Sequence, residues 1–566
     1  MAVLVLLLTT AVVGLPLFAG RVLSGQDIVT YLINAQQMAA NLRAGEVFPA
    51  WGGGFNAGYG SPTLIFYPPL TSYLNAIGVL VGVPVMTGVC ALALFAHFAS
   101  GAALYGWLRS TGVGRSALAA AVVYMVAPYR FIDLFLRSAL SEHWAFVWPP
   151  LILWVAGRRS LHPFSRVPLI AILVSALLLT NTPMAVLFGL ALAVWFVISR
   201  HVADQRFQVA IGAGLGFTVS SFALVPQALA SSLLNTDIYY GAAAQNFRPS
   251  ANTLFSGGFA VWNLNTVFSL VLVSTFAIAV LAFVLLTRAQ RRDPGAAAAL
   301  LAAIFCVLVA TTPAGPIWDA LPVISNLQFP WRVTSVITLI SSSLVARLTV
   351  RRAWIVVAVA VMVSVPFSGW NRTVPLALFS PQIPPPSAPG SVFPDPHAAW
   401  EAGSAGWYWR HHGLVEPWLL PRNVEPFFLE DLGGRHAPQL DRIRHRPAVL
   451  LEDPSARLRV IEWGQIDRRL EIESPVGGTM LWRIISFPDM RVWVDGEEVE
   501  VSNDPTTGLL VHRVPRGRHF VHWAWEPFRA LIWGRAVSVA ALLLTIGLGC
   551  AGLCSRAKRK GANRGS

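Results

Sequence analysis

Charge is scarce in this 566-residue sequence: 12% of its residues are Asp, Glu, Lys or Arg, about half the roughly 25% of a soluble domain. A chain so poor in charge cannot have water as its only solvent. Cysteine is scarcer still. The four present, Cys90, Cys306, Cys550 and Cys554, lie in apolar runs without paired spacing, which excludes a disulfide framework and a zinc site and leaves them as packing residues. There is no Walker loop, no dinucleotide-binding fingerprint and no nucleophile elbow, so no bound nucleotide is expected. Acid is short relative to base, 28 Asp plus Glu against 42 Lys plus Arg. The basic residues sit mainly in short loops and at the end of the chain, where the positive-inside rule accounts for them and nucleic-acid binding does not.

What the chain has is apolar length. Hydrophobic residues make up 55% of it, and the runs Ala2 to Phe18, Ala210 to Val225, Thr266 to Leu286, Val333 to Val345, Ala353 to Val365 and Ala536 to Leu553 cross, or nearly cross, a hydrocarbon core of about 30 Å. Basic loops at Arg109 with Arg115, Arg158 with Arg159 and Arg166, Arg200 with Arg206, Arg288 with Arg291 and Arg292, and Arg347 with Arg351 and Arg352 belong in the cytoplasm with the basic tail. The alternate segments, including 21–70, 130–141, 313–330 and 371–527, then lie outside. Leu70 to Val83 reads as a re-entrant or interfacial helix, Thr87 to Trp107 as a true span, and the total is about twelve spans. Arg21 runs against this orientation. A signal peptide ending near Ala19 is the alternative to a retained first span.

The expected architecture is an all-α polytopic membrane protein with a C-terminal extracytoplasmic β-sandwich inserted before the last span. Its parts are a polytopic region over 1–370 with an extracytoplasmic first loop at 21–70, a linker over 371–446, the sandwich over 447–529, a final span over 530–555 and a basic cytoplasmic tail over 556–566. Prolines from Pro381 to Pro396 mark the linker. Alternation in Arg457 to Ile461, Arg469 to Glu473 and Met490 to Val494 has the period of a half-buried strand, and Asp495-Gly496 is a hairpin signal.

Polar groups at a membrane boundary are costly unless something uses or pairs them, so they are the functional candidates. The first loop carries Asp27 and Glu46 among glycines and the rings of Trp51, Tyr59 and Tyr67. Aromatic faces stack on sugars and a carboxylate takes a hydroxyl proton; the plainer alternative is an interfacial aromatic belt with Asp27 as a helix cap. Arg130, Asp133 and Arg137, spaced three and four apart, share a face if their loop is helical, leaving surplus positive charge for a phosphate; the alternative is a salt-bridge cluster closing the helix ends. Asp27 with Glu142 is a weak candidate pair for a divalent metal, and no metal is assigned. Gln328 and Arg332 precede a span, where Arg332 is placed to meet a lipid-carrier phosphate or, as the alternative, to snorkel to ordinary headgroups. His143, His411 and His412 lack ligand spacing and read as structural or solvated.

These segments, Asp27 after the first span, Gly45-x-x-x-Pro49-x-Trp51, Tyr67-Pro-Pro-Leu70, Arg137-Ser-Ala-x-x-Glu142 and Gln328-Phe-Pro-Trp-Arg332, resemble a bacterial and archaeal membrane family labelled 6-pyruvoyl-tetrahydropterin synthase-related. It is similar to YfhO-like proteins and, more distantly, to the C-type (GT-C) glycosyltransferases. Nothing in the chain looks like a zinc-dependent pterin enzyme. The resemblance implies transfer of a sugar from a polyprenyl-phosphate donor to an envelope glycan or lipid acceptor at the outer face of the bacterial cytoplasmic membrane; no cofactor is assigned, a divalent metal being the one candidate. It implies Asp27 as the base, with Glu142 the second candidate catalytic carboxylate, and Arg332, Arg137 and Arg130 on the donor phosphate. Trp51, Tyr59, Tyr67 and Gln328 are the candidate substrate contacts. Tyr31 stands where relatives often have histidine. A different class of function, a non-catalytic transporter or envelope-assembly scaffold, predicts internal repeats, broken helices and ionisable groups buried in the spans.

Overall fold

The computed structural model describes residues 1–55, 60–112, 116–233, 252–255, 264–321, 327, 329–369, 373–375, 449–504 and 509–562. Tyr59, Arg115, Gln328, His411, His412, nearly all of the linker and most of the 235–265 loop lie outside these residues. The described part is mostly helical, with a β-rich region before the last helix.

Five described helices are long and apolar enough to cross a membrane: Val85–Ser110, Pro163–Thr180, Asn265–Val284, Val350–Phe367 and Arg529–Ser555. Two bent pairs raise the number to seven, Ala117–Val126 with Pro128–Arg137 at 46° and Thr182–Ile198 with Val202–Val219 at 119°. Ala2–Val13, Leu70–Leu80, Ser221–Ala230 and Pro294–Ala310 are apolar but shorter. This is fewer full-length helices than the roughly twelve spans read from hydropathy. The sequence explains the difference. Gly14 and Pro16 end the first helix early, the run from Ala210 to Val225 breaks at Ser220, and Pro128 bends its helix because it lacks an amide to donate.

Contacts join the loops into two sets. In one, Ser116 Oγ donates to the Leu348 carbonyl, Gln290 to the Arg347 carbonyl, and Arg347 pairs with Asp293. In the other, Arg21 Nε donates to Thr373 Oγ1 at 2.7 Å beside a short antiparallel pairing of β1 (Arg21–Val22) with β2 (Val374–Pro375). The same set includes Arg535 Nη2 donating to the Phe48 carbonyl at 2.7 Å and Gln37 Nε2 donating to Gln465 Oε1 at 2.9 Å. The first loop is thus held by the start of the linker, by the β-rich region and by the last helix.

The β-rich region contains two antiparallel sheets. One is ordered β3 (Val449–Leu451), β6 (Gly478–Ile485), β10 (Leu509–Val514), β9 (Ser502–Asn503). The other is ordered β4 (Arg457–Trp463), β5 (Asp467–Ser474), β11 (Gly517–Trp525), β7 (Met490–Val494), β8 (Glu497–Val499). Alternation puts Leu470 and Ile472 of β5 and Val521, Trp523 and Trp525 of β11 inside. Trp523 meets Trp482 of β6 with ring centroids 6.5 Å apart, which joins the two sheets. The β7–β8 hairpin turns at Asp495 (φ 53°) and Gly496 (φ 88°), the left-handed pair a two-residue turn requires and Asp-Gly tolerates.

One buried group ties this region to pH. His512 of β10 packs against Trp482, and burial pushes its imidazole down to about 4. The unfolded chain binds this proton near pH 6.5 and the folded one only near pH 4. Stability is therefore complete above pH 6.5 and is lost as pH falls through that window, by up to about 3 kcal/mol. Amide exchange in β6 and β10 of the whole protein is expected to accelerate from pH 6.5 to 4 after correction for intrinsic rates, and His512→Leu to flatten the dependence.

An ion-pair network beneath the first loop as candidate functional site

The site is built where the turn before the Ile28–Arg43 helix meets a break in a second helix. After Pro128 the chain forms a short helical turn, Pro128–Phe131, then a π-helix, Ile132–Arg137, ended by Ser138 in the left-handed region (φ 50°). The 25–27 turn lies against this ending. Asp27 N donates to the Arg137 carbonyl at 2.7 Å, and Gly25 N to Ser138 Oγ at 3.0 Å. Gly25 is the residue that allows the approach, since a Cβ there would stand 2.5 Å from Ser138 Oγ and 2.6 Å from the Arg137 backbone. Gly25→Ala is expected to lower stability by about 1–3 kcal/mol, read as a fall in the unfolding midpoint in detergent, whereas Gly189→Ala, in a helix and with open space around it, meets no clash.

The backbone pairing brings charges together. Asp27 Oδ2 lies 3.7 Å from Arg137 Nη2. Arg137 Nη1 donates to Asp133 Oδ1 at 3.3 Å and to Glu142 Oε2 at 2.7 Å, and Arg332 Nε donates to Glu142 Oε1 at 2.8 Å. Tyr129 adds its hydroxyl to Glu142 Oε2 at 3.0 Å, and Phe329 lies under the Arg332 guanidinium. Four sequence candidates, Asp27, Arg137, Glu142 and Arg332, thus form one network. Only Asp27 reaches solvent appreciably: its side chain is 43% exposed, against 2% for Glu142 and 7% for each arginine. It occupies the helix N-cap position without making a side-chain cap bond.

Two expectations are corrected here. Among the described residues Arg130 makes no hydrogen bond or ion pair with Asp133, the acid that pairs with Arg137. The wide π-turn changes the angular step between them, and Arg130 enters a separate fully buried nest. There it donates to the His143 carbonyl and to Ser100 Oγ, meets ring nitrogens of His97 and His143, and covers the Phe146 ring at 4.2 Å. Nor is there surplus positive charge in the network. Three carboxyl groups, Asp27, Asp133 and Glu142, are balanced by three guanidiniums, Arg137, Arg332 and Arg130, the last acting on Asp133 through space. The same pairing argues against a divalent metal on Glu142, because both of its oxygens already accept from arginine, and a cation there would meet two positive groups. Among the described residues no group of three or more His, Cys, Asp or Glu is arranged to hold a metal.

The aromatic candidates are placed differently. Trp51 is fully buried, with centroids 6.2 Å from both Phe487 and Trp525, so in this structure it packs the first loop onto the β-rich region instead of facing a ligand. Tyr67 is half-buried at the end of the Thr63–Phe66 turn. His143 is fully buried and structural. Tyr129, Ser141 and Asn181 belong to the site and were not legible as such. Tyr129 stands beside Arg130 in the sequence, a weak signal; nothing in the sequence sets apart Ser141 or Asn181.

No curated protein matches the chain. Among solved structures it is similar to the cryo-EM structure of arabinofuranosyltransferase AftD from Mycobacteria, at 18% identity and a TM-score of 0.42, covering 71% of this chain and 28% of that one. A structure of a mutant of the same protein matches at 17% identity and a TM-score of 0.41, covering 65% and 27%. The chain thus spans little more than a quarter of the length of those neighbours. A family description, 6-pyruvoyl-tetrahydropterin synthase related domain, membrane protein, matches residues 64–373. The matched segment holds Arg137, Glu142 and Arg332, and starts after Asp27. With more than half of its length matched, the chain belongs to the 6-pyruvoyl-tetrahydropterin synthase related family of membrane proteins.

Proposed function

We propose that this membrane protein is a glycosyltransferase that moves a sugar from a polyprenyl-phosphate donor to an envelope glycan or lipid acceptor at the outer face of the bacterial cytoplasmic membrane. The observation that carries the reading is the position of Asp27, the most exposed carboxylate of the network it forms with Arg137, Glu142 and Arg332. In this reading Asp27 takes the proton of an acceptor hydroxyl as that oxygen attacks the anomeric carbon. The bond from that carbon to the phosphate oxygen breaks, and its electron pair leaves on the phosphate. Arg332 uses Nε and Nη1 within the protein, towards Glu142 and the Leu327 carbonyl. Its Nη2 makes no hydrogen bond among the described residues and is assigned to the donor phosphate, with Arg137 behind it. The short apolar helices complete their crossings with flanking residues to give about twelve spans, and the loop set that holds Asp27 and the β-rich region faces outward.

A second reading, transport or assembly scaffolding, draws on one observation. The helix bent by 46° at Pro128 carries Arg130, Asp133 and Arg137, all buried, and broken helices with buried ionisable groups are what a transporter uses. The deciding measurement is transfer of radiolabelled sugar from polyprenyl-phosphate donors in membranes holding wild type, Asp27→Asn or Arg332→Ala at matched expression. Transfer by wild type that is lost in Asp27→Asn supports the enzyme. No transfer across a broad donor and acceptor panel, or full transfer by Asp27→Asn, moves the second reading ahead.

A further inference from the structure

The Ile28–Arg43 helix is fastened to the site at a second point. Tyr31 lies four residues after Asp27, one helical turn along the same face. It is 6% exposed, and its hydroxyl accepts from Ser141 N at 3.0 Å and shares a hydrogen bond of 2.8 Å with Ser141 Oγ. Ser141 N belongs to the first turn of the Leu140–Ala145 helix, where amide groups have no partner within the helix, so the tyrosine serves as its cap. Asn181 donates to Ser141 Oγ at 2.9 Å, while its own Oδ1 accepts from Met184 N and caps the Thr182–Ile198 helix. The next residue after Ser141 is Glu142, which holds Arg137 and Arg332. The helix bearing Asp27 is therefore clamped twice, by backbone at 25–27 and by Tyr31. The two clamps sit on either side of the Arg137 to Glu142 segment.

We propose that Tyr31, held by Ser141 and Asn181, is a positioning residue that fixes the distance from the Asp27 carboxylate to Arg137. Its consequence for turnover rests on the reading of Asp27 as the base. The tyrosine does not relay protons to Asp27 in this arrangement, because its hydroxyl is engaged with Ser141. Removing it leaves the backbone clamp alone to set where the carboxylate points.

The test separates the geometry from the catalysis. Cys550 and Cys554 are exposed and Cys90 and Cys306 buried, so Asp27→Cys in a Cys550→Ser, Cys554→Ser full-length chain introduces an accessible thiol beside Arg137. The pH at which its alkylation reaches half its maximal rate reports its proximity to the guanidinium. Adding Tyr31→Phe is expected to raise that midpoint by about half a pH unit or more. Tyr124→Phe is the control: it removes another buried tyrosine hydroxyl, bonded to the Phe146 carbonyl at 2.9 Å, and is expected to leave the midpoint in place. A midpoint that Tyr31→Phe does not move, or that Tyr124→Phe moves equally, overturns the positioning role. In the transfer assay, Tyr31→Phe is expected to lower kcat about ten-fold with KM nearly unchanged, while Tyr124→Phe keeps wild-type kcat. If Asp27→Asn transfers at the wild-type rate, the base reading fails and the catalytic half of the inference with it, while the thiol midpoint still decides the geometry.

Discussion

Glu142→Gln is expected to destabilise the protein more than any other single change in the network. The carboxylate is 2% exposed and accepts from Arg137 at 2.7 Å, Arg332 at 2.8 Å and Tyr129 at 3.0 Å. A glutamine of the same shape keeps one acceptor oxygen, turns an NH2 towards an arginine and removes the charge that both guanidiniums share. Arg137 retains Asp27 and Asp133, but among the described residues Arg332 keeps the Leu327 carbonyl and the Phe329 ring and no acid. Leaving a buried charge without its counterion costs about 3–5 kcal/mol, a large part of the stability of most proteins. Tyr129→Phe, which removes one neutral donor from the same oxygen, should cost about 1 kcal/mol. Unfolding midpoints of the two variants in the same detergent check the contrast. Equal midpoints would mean that the arginines find other partners and that Glu142 is not the centre of the network.

Asp27→Asn is expected to do the reverse, with a large loss of rate and little loss of stability. Its pair with Arg137 is long, at 3.7 Å, and 43% exposed on the acid side, the class of ion pair that contributes less than about 1 kcal/mol. The amide fits the same space and leaves Arg137 bound to Glu142 and Asp133. A general base, however, is worth about 10²- to 10⁴-fold in rate, and asparagine cannot take the proton. Transfer should therefore fall by that factor while the unfolding midpoint stays at the wild-type value. A variant that loses both together would make Asp27 a structural residue.

Short-range signals carried much of the architecture. The segments at Arg457, Arg469 and Met490 all form strands, and Asp495-Gly496 makes the turn its two residues favour, but burial alternates as expected only from Arg469 and Met490, since Leu458 and Ile461 of the first strand are exposed. Asp27, Arg137, Glu142 and Arg332 stood out as polar groups in an apolar chain, and they do meet. What was not legible depends on tertiary contact. The π-turn that separates Arg130 from Arg137 is one extra residue in a helical turn, and no composition marks it. Trp51 reads as an exposed ring because the residues that bury it, Phe487 and Trp525, lie more than 400 positions away. Surplus positive charge was inferred from Arg130, Asp133 and Arg137 alone. Adding Asp27, Glu142 and Arg332 sets three acids against three arginines and cancels it.

The fastening of the first loop has a consequence for the order in which the protein can be made. Phe48 accepts from Arg535 across 487 positions, Gln37 reaches Gln465 across 428, and Arg21 reaches Thr373 across 352. At about 5–20 residues per second, a ribosome needs roughly half a minute to a minute and a half to travel from Phe48 to Arg535. Throughout that interval the nascent loop lacks the contacts that bury Trp51. A chain stopped before residue 535 would present that loop to proteases, and resistance of the 44–62 segment to cleavage would report that synthesis had run to the last helix.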